Sequence, residues 1–269
     1  MKFGLGMPGR DLDLTFKMAK DNGLTGLLAN RGQLGDMRPE VFRDRVADAG
    51  LEIVQWGSWE LNPLRPNDGA VAVAEENIRM AGHLGVPTVV MQPGSANPEH
   101  PFCSHPFNNT QEAMNCLVDV FSPLAKLAED VGTCIAVEIH FATALGTFER
   151  CAAFVEAVGS SALKIQMDGA NMITFDHYWE TGSFLEAGFR ILRDKIVMAH
   201  AKDVVMQNVL HLHMDECPAG EGCMDYVTYL RLLEEALSPE GYLIVEHTPP
   251  EKLEAAVKHV RRCAEDAGL

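Results

Sequence analysis

Four side chains that commonly bind metal ions each stand at the end of a short apolar run in this sequence. They are Glu138 after CIAV, Asp168 after LKIQM, His200 after IVMA and Glu246 after YLIV. Three carboxylates in apolar surroundings would repel one another and lose their hydration, and a divalent cation removes both penalties. Oxygen ligands with one imidazole are typical of an octahedral Mn²⁺, Mg²⁺ or Co²⁺ site, whereas structural zinc favours thiolates. Four such ligands would leave about two coordination positions to substrate oxygens.

The elements that would position these residues alternate in type along the chain. Short, nearly continuous apolar runs predict strands that are covered on both faces, and the longer amphipathic stretches between them predict helices. The predicted strands are Lys2–Gly6, Thr25–Ala29, Leu51–Trp56, Thr88–Gln92, Cys134–Ile139, Leu163–Asp168, Ile196–His200 and Tyr242–Glu246. The predicted helices are Leu12–Asn22, Pro39–Ala49, Ala70–Leu84, Gln111–Val131, Thr147–Val158, Phe184–Asp194, Tyr226–Leu237 and Pro250–Ala267.

Eight such units predict an α/β protein built as one (β/α)8 TIM barrel, with residues 1–269 forming a single domain. An open doubly wound sheet is the alternative, but the sequence contains no GxxxxGK phosphate loop. Active sites of barrels lie at the carboxyl ends of the strands, so the four candidate ligands would share one level on adjacent strands. A single carboxylate at a strand end is usually solvated, and a single histidine usually belongs to the core. The metal site is predicted because all four residues lie at the same level of the barrel.

Composition and charge exclude several classes of function. Apolar residues make up 47% of the chain and charged residues 22%, which is ordinary for a globular protein. The formal net charge of −16 would repel a phosphate backbone, so nucleic acid is not an expected partner. We find no apolar run of the ~20 residues that a membrane span needs, and no apolar core of a signal peptide. A cytoplasmic protein with reduced cysteines and no membrane contact is therefore expected.

The chain resembles the xylose-isomerase-like TIM-barrel superfamily of sugar isomerases and epimerases. That family places metal-binding Glu, Asp, His and Glu at the ends of strands five to eight, where this sequence has the four residues above. The family's H-x-x-D element matches residues 200–203, and its Gly-x-Gly turn matches residues 220–222. The resemblance implies a metal-dependent sugar isomerase or epimerase, with Mn²⁺ as the most expected ion and Mg²⁺ or Co²⁺ as alternatives.

Two differences from the ketose 3-epimerases of this family argue against a free ketose as the substrate. Ketose 3-epimerases usually carry Asp-x-x-His after strand six, whereas this chain has Asp168-Gly169-Ala170-Asn171. They also carry an arginine in the loop after strand seven, and residues 204–222 contain none. The sequence is more similar to a branch that acts on glycosides or oxidised sugars. That branch includes 3-oxo-glycoside epimerases and the metal-binding subunit of C-glycoside-cleaving lyases.

The chemistry that the resemblance implies is proton abstraction beside a carbonyl, with a metal-stabilised enediolate. Reprotonation would give an epimer or isomer, whereas loss of a β-leaving group would make the enzyme a lyase or dehydratase. Glu138 and Glu246 could each serve as ligand and base, and His140 is the third candidate base because its ordinary pKa is near ~6.5. Lys202 could neutralise an enolate oxygen.

Other residues are predicted to contact the substrate. Trp56 and Trp59 could stack on a sugar face, Asn171 could bind a hydroxyl, and Asp203 could support a ligand or hold a second ion. The loop at residues 93–109 is long enough to act as a lid, and its His105 is a candidate contact.

Two further alternatives concern the function, and the last expectation concerns the partners. A non-catalytic sugar-binding barrel would bind sugars without metal-dependent turnover. A DNA-repair nuclease like endonuclease IV is disfavoured by the acidic charge. The expected partner is a small-molecule sugar or glycoside, and both a homo-oligomer and a partner subunit are compatible with the resemblance.

Overall fold

The computed structural model describes residues 1–6 and 9–269. Its strands are β1 (Lys2–Gly6), β2 (Gly26–Ala29), β3 (Glu52–Ser58), β4 (Thr88–Met91), β5 (Cys134–Glu138), β6 (Leu163–Asp168), β7 (Ile196–Ala201), β8 (Asp203–Met206), β9 (Met214–Cys217) and β10 (Tyr242–Val245). Eight of them close into a barrel in the order β1-β10-β7-β6-β5-β4-β3-β2, and every pairing within it is parallel. The prediction of a (β/α)8 TIM barrel is confirmed.

Helices follow the barrel strands and cover the outside of the barrel. They are α1 (Leu12–Asp21), α2 (Arg31–Leu34), α3 (Pro39–Asp48), α4 (Asp68–Leu84), α5 (Gln111–Val131), α6 (Phe148–Val158), α7 (Thr181–Leu192), α8 (Tyr226–Ala236) and α9 (Pro250–Asp266). Local chemistry sets several boundaries. Thr110 and Thr147 accept a backbone N–H from the first turn of α5 and α6, and Gly132 and Gly159 end these helices in the left-handed conformation. Within the described residues, none of these helices combines the length and apolar character that a membrane crossing requires.

Alternation along the barrel strands separates an outer from an inner layer. Ile165, Met167, Ala199 and Val245 belong to the core between strands and helices. Met198 and Ile244 belong to a separate buried cluster, which also contains Leu28, Val54, Val90 and Tyr242. Because side chains alternate between the two faces of a strand, this second cluster fills the inside of the barrel. Residues that lie an even number of positions beyond these inward-facing residues, near the carboxyl ends of the strands, therefore face the barrel mouth.

The short helix α2 and the strands β8 and β9 were not predicted from the sequence. After β7 the chain forms an antiparallel hairpin, in which β8 pairs with β9 outside the barrel. Its residues are mostly half-buried, so the hairpin lacks the continuous apolar runs that mark the barrel strands. The hairpin rises from the end of β7 and forms part of the wall above the barrel mouth.

Candidate metal centre

The four candidate ligands converge at the carboxyl end of the barrel. His200 lies two residues beyond the inward-facing Met198, and Glu246 lies two residues beyond the inward-facing Ile244. One ligand atom from each of the four residues lies within 4.8 Å of those of the others. His200 Nδ1 is 3.1 Å from Glu246 Oε1, 3.4 Å from Glu138 Oε1 and 3.6 Å from Asp168 Oδ2. All four side chains are buried.

The polar atoms of this cluster are suited to a divalent cation. Within the described part of the chain, Asp168 Oδ2 and His200 Nδ1 are buried and have ion-pair neighbours, but neither makes a hydrogen bond of good geometry. Such atoms are costly in a folded protein unless something satisfies them. Three carboxylates and one imidazole are a donor set that hard divalent cations accept. The cluster could therefore bind a divalent metal ion.

Lys202 lies beside the cluster and balances part of its charge. Its Nζ is 3.1 Å from Asp168 Oδ2, 3.1 Å from Glu246 Oε1 and 3.9 Å from Glu138 Oε1. Lys202 Nζ also lies 3.1 Å from Glu216 Oε2, on β9. Burial alone would lower the pKa of Lys202, but the surrounding carboxylates outweigh it and raise this pKa well above its ordinary value. Lys202 is therefore an ammonium ion at neutral pH.

The same balance sets the protonation of the ligands. Burial favours the neutral acids, but Lys202 holds the pKa of Asp168 below its ordinary value, and His200 with Lys202 does the same for Glu246. Burial alone would lower the pKa of His200, whereas the neighbouring carboxylates raise it well above the ordinary value. Because an imidazole binds a metal only when neutral, a proton and a cation compete for this ring.

Residues behind the cluster fix its orientation. Asn171 Nδ2 donates to Glu138 Oε1 at 3.0 Å, and the Asn171 backbone N–H donates to Asp168 Oδ1 at 3.0 Å. The hydroxyl of Tyr229 on α8 lies 3.0 Å from the carbonyl oxygen of His200. At the end of β1, Gly6 leaves the space that Glu246 occupies, because a Cβ there would lie 2.7 Å from Glu246 Cβ.

A cavity of about 450 Å³ opens above the cluster. The residues that line it include Trp59, Gln92, His100, Phe102, His140, Asn171, Lys202, Glu216 and His247, together with Glu138 and Glu246. A cavity of this volume, with an apolar rim and convergent polar groups, is typical of a small-molecule site. Of the predicted catalytic residues, Glu138, Glu246, His140 and Lys202 all line this cavity, as does the predicted substrate contact Asn171.

His140 has a defined orientation in this cavity. Its ring stacks on Phe141 with centroids 4.9 Å apart, and its Nδ1 accepts the backbone N–H of Ala142 at 3.1 Å. Burial lowers the pKa of His140 to about 4, so the ring is neutral at neutral pH. A neutral ring that accepts at Nδ1 carries its proton on Nε2. In this state His140 is therefore a hydrogen-bond donor at Nε2, and its role as a base stays a prediction.

Glu216 and His247 are among the cavity residues that were not identified from the sequence. Glu216 reaches the cavity from the unpredicted hairpin, and His247 directly follows Glu246. His247 Nδ1 lies 2.9 Å from Glu216 Oε1, and this contact raises the pKa of His247. His247 has a φ of 49°, which a residue other than glycine rarely adopts. The sequence signal for His247 was its position directly after a predicted ligand, and Glu216 had none.

Three predicted substrate contacts have other roles. Trp56 is fully buried beside Phe42 on α3 and donates its indole N–H to Asn77 Oδ1 at 3.2 Å, because β3 turns it away from the mouth. Asp203 accepts the backbone N–H groups of Val204, Gly220 and Met224, so its buried carboxylate closes the loop around the Gly-x-Gly turn. His105 Nδ1 accepts the N–H of Phe107 and caps the 3₁₀ helix Pro106–Asn109.

Comparisons with known proteins agree with this architecture. A family model described as xylose isomerase-like TIM barrel matches residues 16–263. The structure is similar to a xylose isomerase-like TIM barrel protein from Mycobacterium smegmatis in complex with magnesium, with a TM-score of 0.75 and 16% identity over 98% of this chain and 95% of that chain. It is also similar to 3-keto-D-glucoside 4-epimerase from E. coli, with a TM-score of 0.74 and 15% identity over 98% of this chain and 100% of the other.

A third similar structure is the probable 3-DHS dehydratase involved in petrobactin synthesis in Bacillus anthracis. Its TM-score is 0.76, with 17% identity over 97% of this chain and 99% of that chain. At these identities the structural likeness shows the fold. No curated protein matches the sequence.

Proposed function

Because the chain belongs to the xylose isomerase-like TIM-barrel family, we propose that it is a divalent-metal-dependent epimerase or isomerase of sugars that carry a carbonyl group. The observation that carries the proposal is the buried cluster of three carboxylates and one imidazole at the floor of an open cavity. The similar 3-keto-D-glucoside 4-epimerase supports an oxidised sugar as the substrate.

Glu138, Asp168, His200 and Glu246 would hold the metal ion. Mn²⁺ is the ion that we propose, with Mg²⁺ and Co²⁺ as alternatives, because carboxylate oxygens dominate the donor set. The bound ion would supply Lewis-acid polarisation of the sugar oxygens.

The two outer carboxylates would exchange the proton. Glu138 ends β5 and Glu246 directly follows β10, and these strands are the outermost of four adjacent strands, so the two carboxylates approach the cavity from different sides. One would remove the proton from the carbon beside the carbonyl, and the other would return a proton to the opposite face. Their surroundings differ, because Asn171 holds Glu138 by a neutral hydrogen bond whereas Glu246 pairs with Lys202. Such a difference separates the tasks of two carboxyl groups.

His140 and Lys202 would stabilise the negative charge that develops on oxygen. His140 offers an Nε2–H from a neutral, stacked ring, and Lys202 offers an ammonium at the floor of the cavity. Donors that are fixed before the reaction stabilise such charge without reorganisation. Trp59 would cover the sugar ring from the rim.

Elimination is a second candidate, since the same carbanion could expel a β-leaving group. It is favoured by the similarity to a protein described as a probable dehydratase. In that case the enzyme would be a lyase acting on a 3-oxo-sugar or a C-glycoside.

The test uses methyl 3-oxo-glucoside in D₂O, followed by NMR with metal-free and Mn²⁺-loaded protein. We expect deuterium to enter beside the carbonyl only with metal, together with a new sugar diastereomer. Release of methanol would indicate elimination instead. The variant Glu246→Gln should lose exchange, whereas Glu240→Gln, at an exposed surface position, should retain it. Full activity in a verified metal-free sample would refute the proposal.

A further inference from the structure

A second cavity, of about 280 Å³, lies beside the metal cavity and shares a wall with it. The shared wall consists of His140, Asn171, Lys202 and Glu216, which line both cavities. A molecule bound over the metal cluster could therefore extend into the second cavity past these four side chains.

Beyond the shared wall the chemistry of the lining changes. The cavity above the metal-binding cluster is lined mostly by polar groups, which are carboxylates, histidines, two amides and the Lys202 ammonium, with Trp59, Pro101 and Phe102 as its apolar residues. Half of the residues that line the second cavity are apolar, namely Phe141, Ala170, Ile173, Phe175, Val204, Leu212 and Met214. Outside the shared wall, its polar residues His213 and Asp215 contact each other at 2.8 Å. The two cavities thus suit the two halves of a molecule with one polar and one apolar part.

Several of these apolar side chains are exposed. Phe141 is 43% exposed, Phe175 42% and Leu212 57%, although large apolar side chains are usually covered. A cluster of exposed apolar groups with a polar rim marks a binding surface. At about 280 Å³ the cavity suits a small chemical group rather than a segment of protein.

We infer that the second cavity binds an apolar, flat aglycone, so that the substrate class is a glycoside with an aromatic substituent rather than a free sugar. This inference rests on the proposed function, since it places the sugar ring over the metal cluster. The phenyl rings of Phe141 and Phe175 supply aromatic surfaces in the lining, and aromatic groups pack well against such surfaces. Asn171 and Lys202 stand at the junction, where their N–H groups can meet the glycosidic oxygen.

The first measurement is calorimetric binding of phenyl β-D-glucoside and methyl β-D-glucoside to the Mn²⁺-loaded protein. Neither probe carries a carbonyl, so binding is measured without turnover. Burying a phenyl ring should make the phenyl glucoside bind roughly 10- to 100-fold more tightly. Equal affinities would overturn the inference, and so would the absence of binding of both probes at millimolar concentration.

Variants then locate the effect. Phe175→Ala and Leu212→Ala should reduce the ratio of the two affinities to about threefold or less. These positions are partly exposed, so truncation should leave the fold intact, which thermal unfolding checks. Leu14→Ala is the matched control, because Leu14 is 45% exposed and lies on α1, outside the described linings of both cavities. An unchanged ratio in both cavity variants would refute the assignment of this cavity.

The outcome separates this inference from the proposed function. A preference for the phenyl probe that depends on Phe175 would support the aglycone site even if no carbonyl sugar were converted. Metal-dependent conversion of a 3-oxo-sugar without a phenyl preference would support the proposed function and refute the aglycone site.

Discussion

Replacing Lys202 by methionine should strongly destabilise the metal-free protein, because this ammonium is the counter-ion of the buried carboxylates. Its Nζ lies 3.1 Å from Asp168 Oδ2, Glu246 Oε1 and Glu216 Oε2, and the residue is only 3% exposed. Methionine keeps most of the length of the side chain but removes the charge. Removing one partner of a buried ion pair typically costs about 3–5 kcal/mol. In a protein of this size that loss lowers Tm by roughly 6–20 °C.

The assay is thermal unfolding by circular dichroism, first with a chelator and then with saturating Mn²⁺. Addition of Mn²⁺ should raise the Tm of Lys202→Met more than that of the wild type, because the carboxylates of the variant lack a counter-ion. Lys252→Met is the matched control. Lys252 Nζ also lies 2.7 Å from a carboxylate, Glu221 Oε2, but both side chains are more than two-fifths exposed, so this pair contributes at most about 1 kcal/mol.

Two results would refute this account of the charge balance. One is a Tm for Lys202→Met in chelator within about 2 °C of that of Lys252→Met. The other is a Tm rise on addition of Mn²⁺ that is the same in Lys202→Met and the wild type, since the substitution would then not have changed the charge of the metal-binding cluster.

Four other predictions concern single residues of the site and of the loop at residues 93–109. Asn171→Ala should weaken metal affinity about 10- to 100-fold in chelator competition, because Glu138 loses the amide that orients it, and unchanged affinity would contradict this. His140→Ala should reduce kcat at least ~100-fold while the metal stays bound, and unchanged kinetics would exclude a catalytic role. Trp59→Ala should raise KM more than it lowers kcat, because Trp59 lines the cavity rim, and a pure kcat effect would argue against sugar contact. Among the seven cysteines, Cys103 should react first with iodoacetamide, because it is exposed whereas burial raises the pKa of several other thiols, and peptide mass spectrometry would reveal a different order.

The sequence correctly placed the candidate site at the carboxyl ends of the barrel strands, because local sequence patterns determine where strands end. The predicted and observed bounds of β6 and α5 are identical, and every predicted barrel strand is present. Each ligand could be located because a charged or polar residue interrupts an apolar run at the carboxyl end of a strand. The helix punctuation that sets the strand spacing is also local.

The hairpin β8–β9 could not be predicted in this way. It is a short two-stranded ribbon at the barrel mouth, and its residues bury too little apolar surface to produce an apolar run in the sequence. Glu216 was missed with it, although Glu216 links Lys202 to His247 in the structure. Residues of this kind become visible only when the path of the loop is known.

Trp56 shows a second limit of the sequence prediction. The sequence locates the end of a strand, but it does not determine whether a side chain there points into or out of the barrel. The sequence placed Trp56 at the end of the third strand, where an inward side chain would reach the mouth. In the structure β3 continues to Ser58, and its register against β2 shifts where Leu27 pairs with Ile53 but Leu28 pairs with Gln55. A one-residue irregularity exchanges the two faces of everything beyond it, so Trp56 turns toward α3 and Trp59 takes its place at the cavity. β7 carries a shift of its own against β6, where Ile165 pairs with Ile196 but Gln166 pairs with Met198. Beyond this shift Met198 faces inward and Ala199 outward, so His200 reaches the mouth. The kind of irregularity that turns Trp56 away from the mouth therefore brings His200 to it, and the alternation of the sequence alone could not distinguish the two cases.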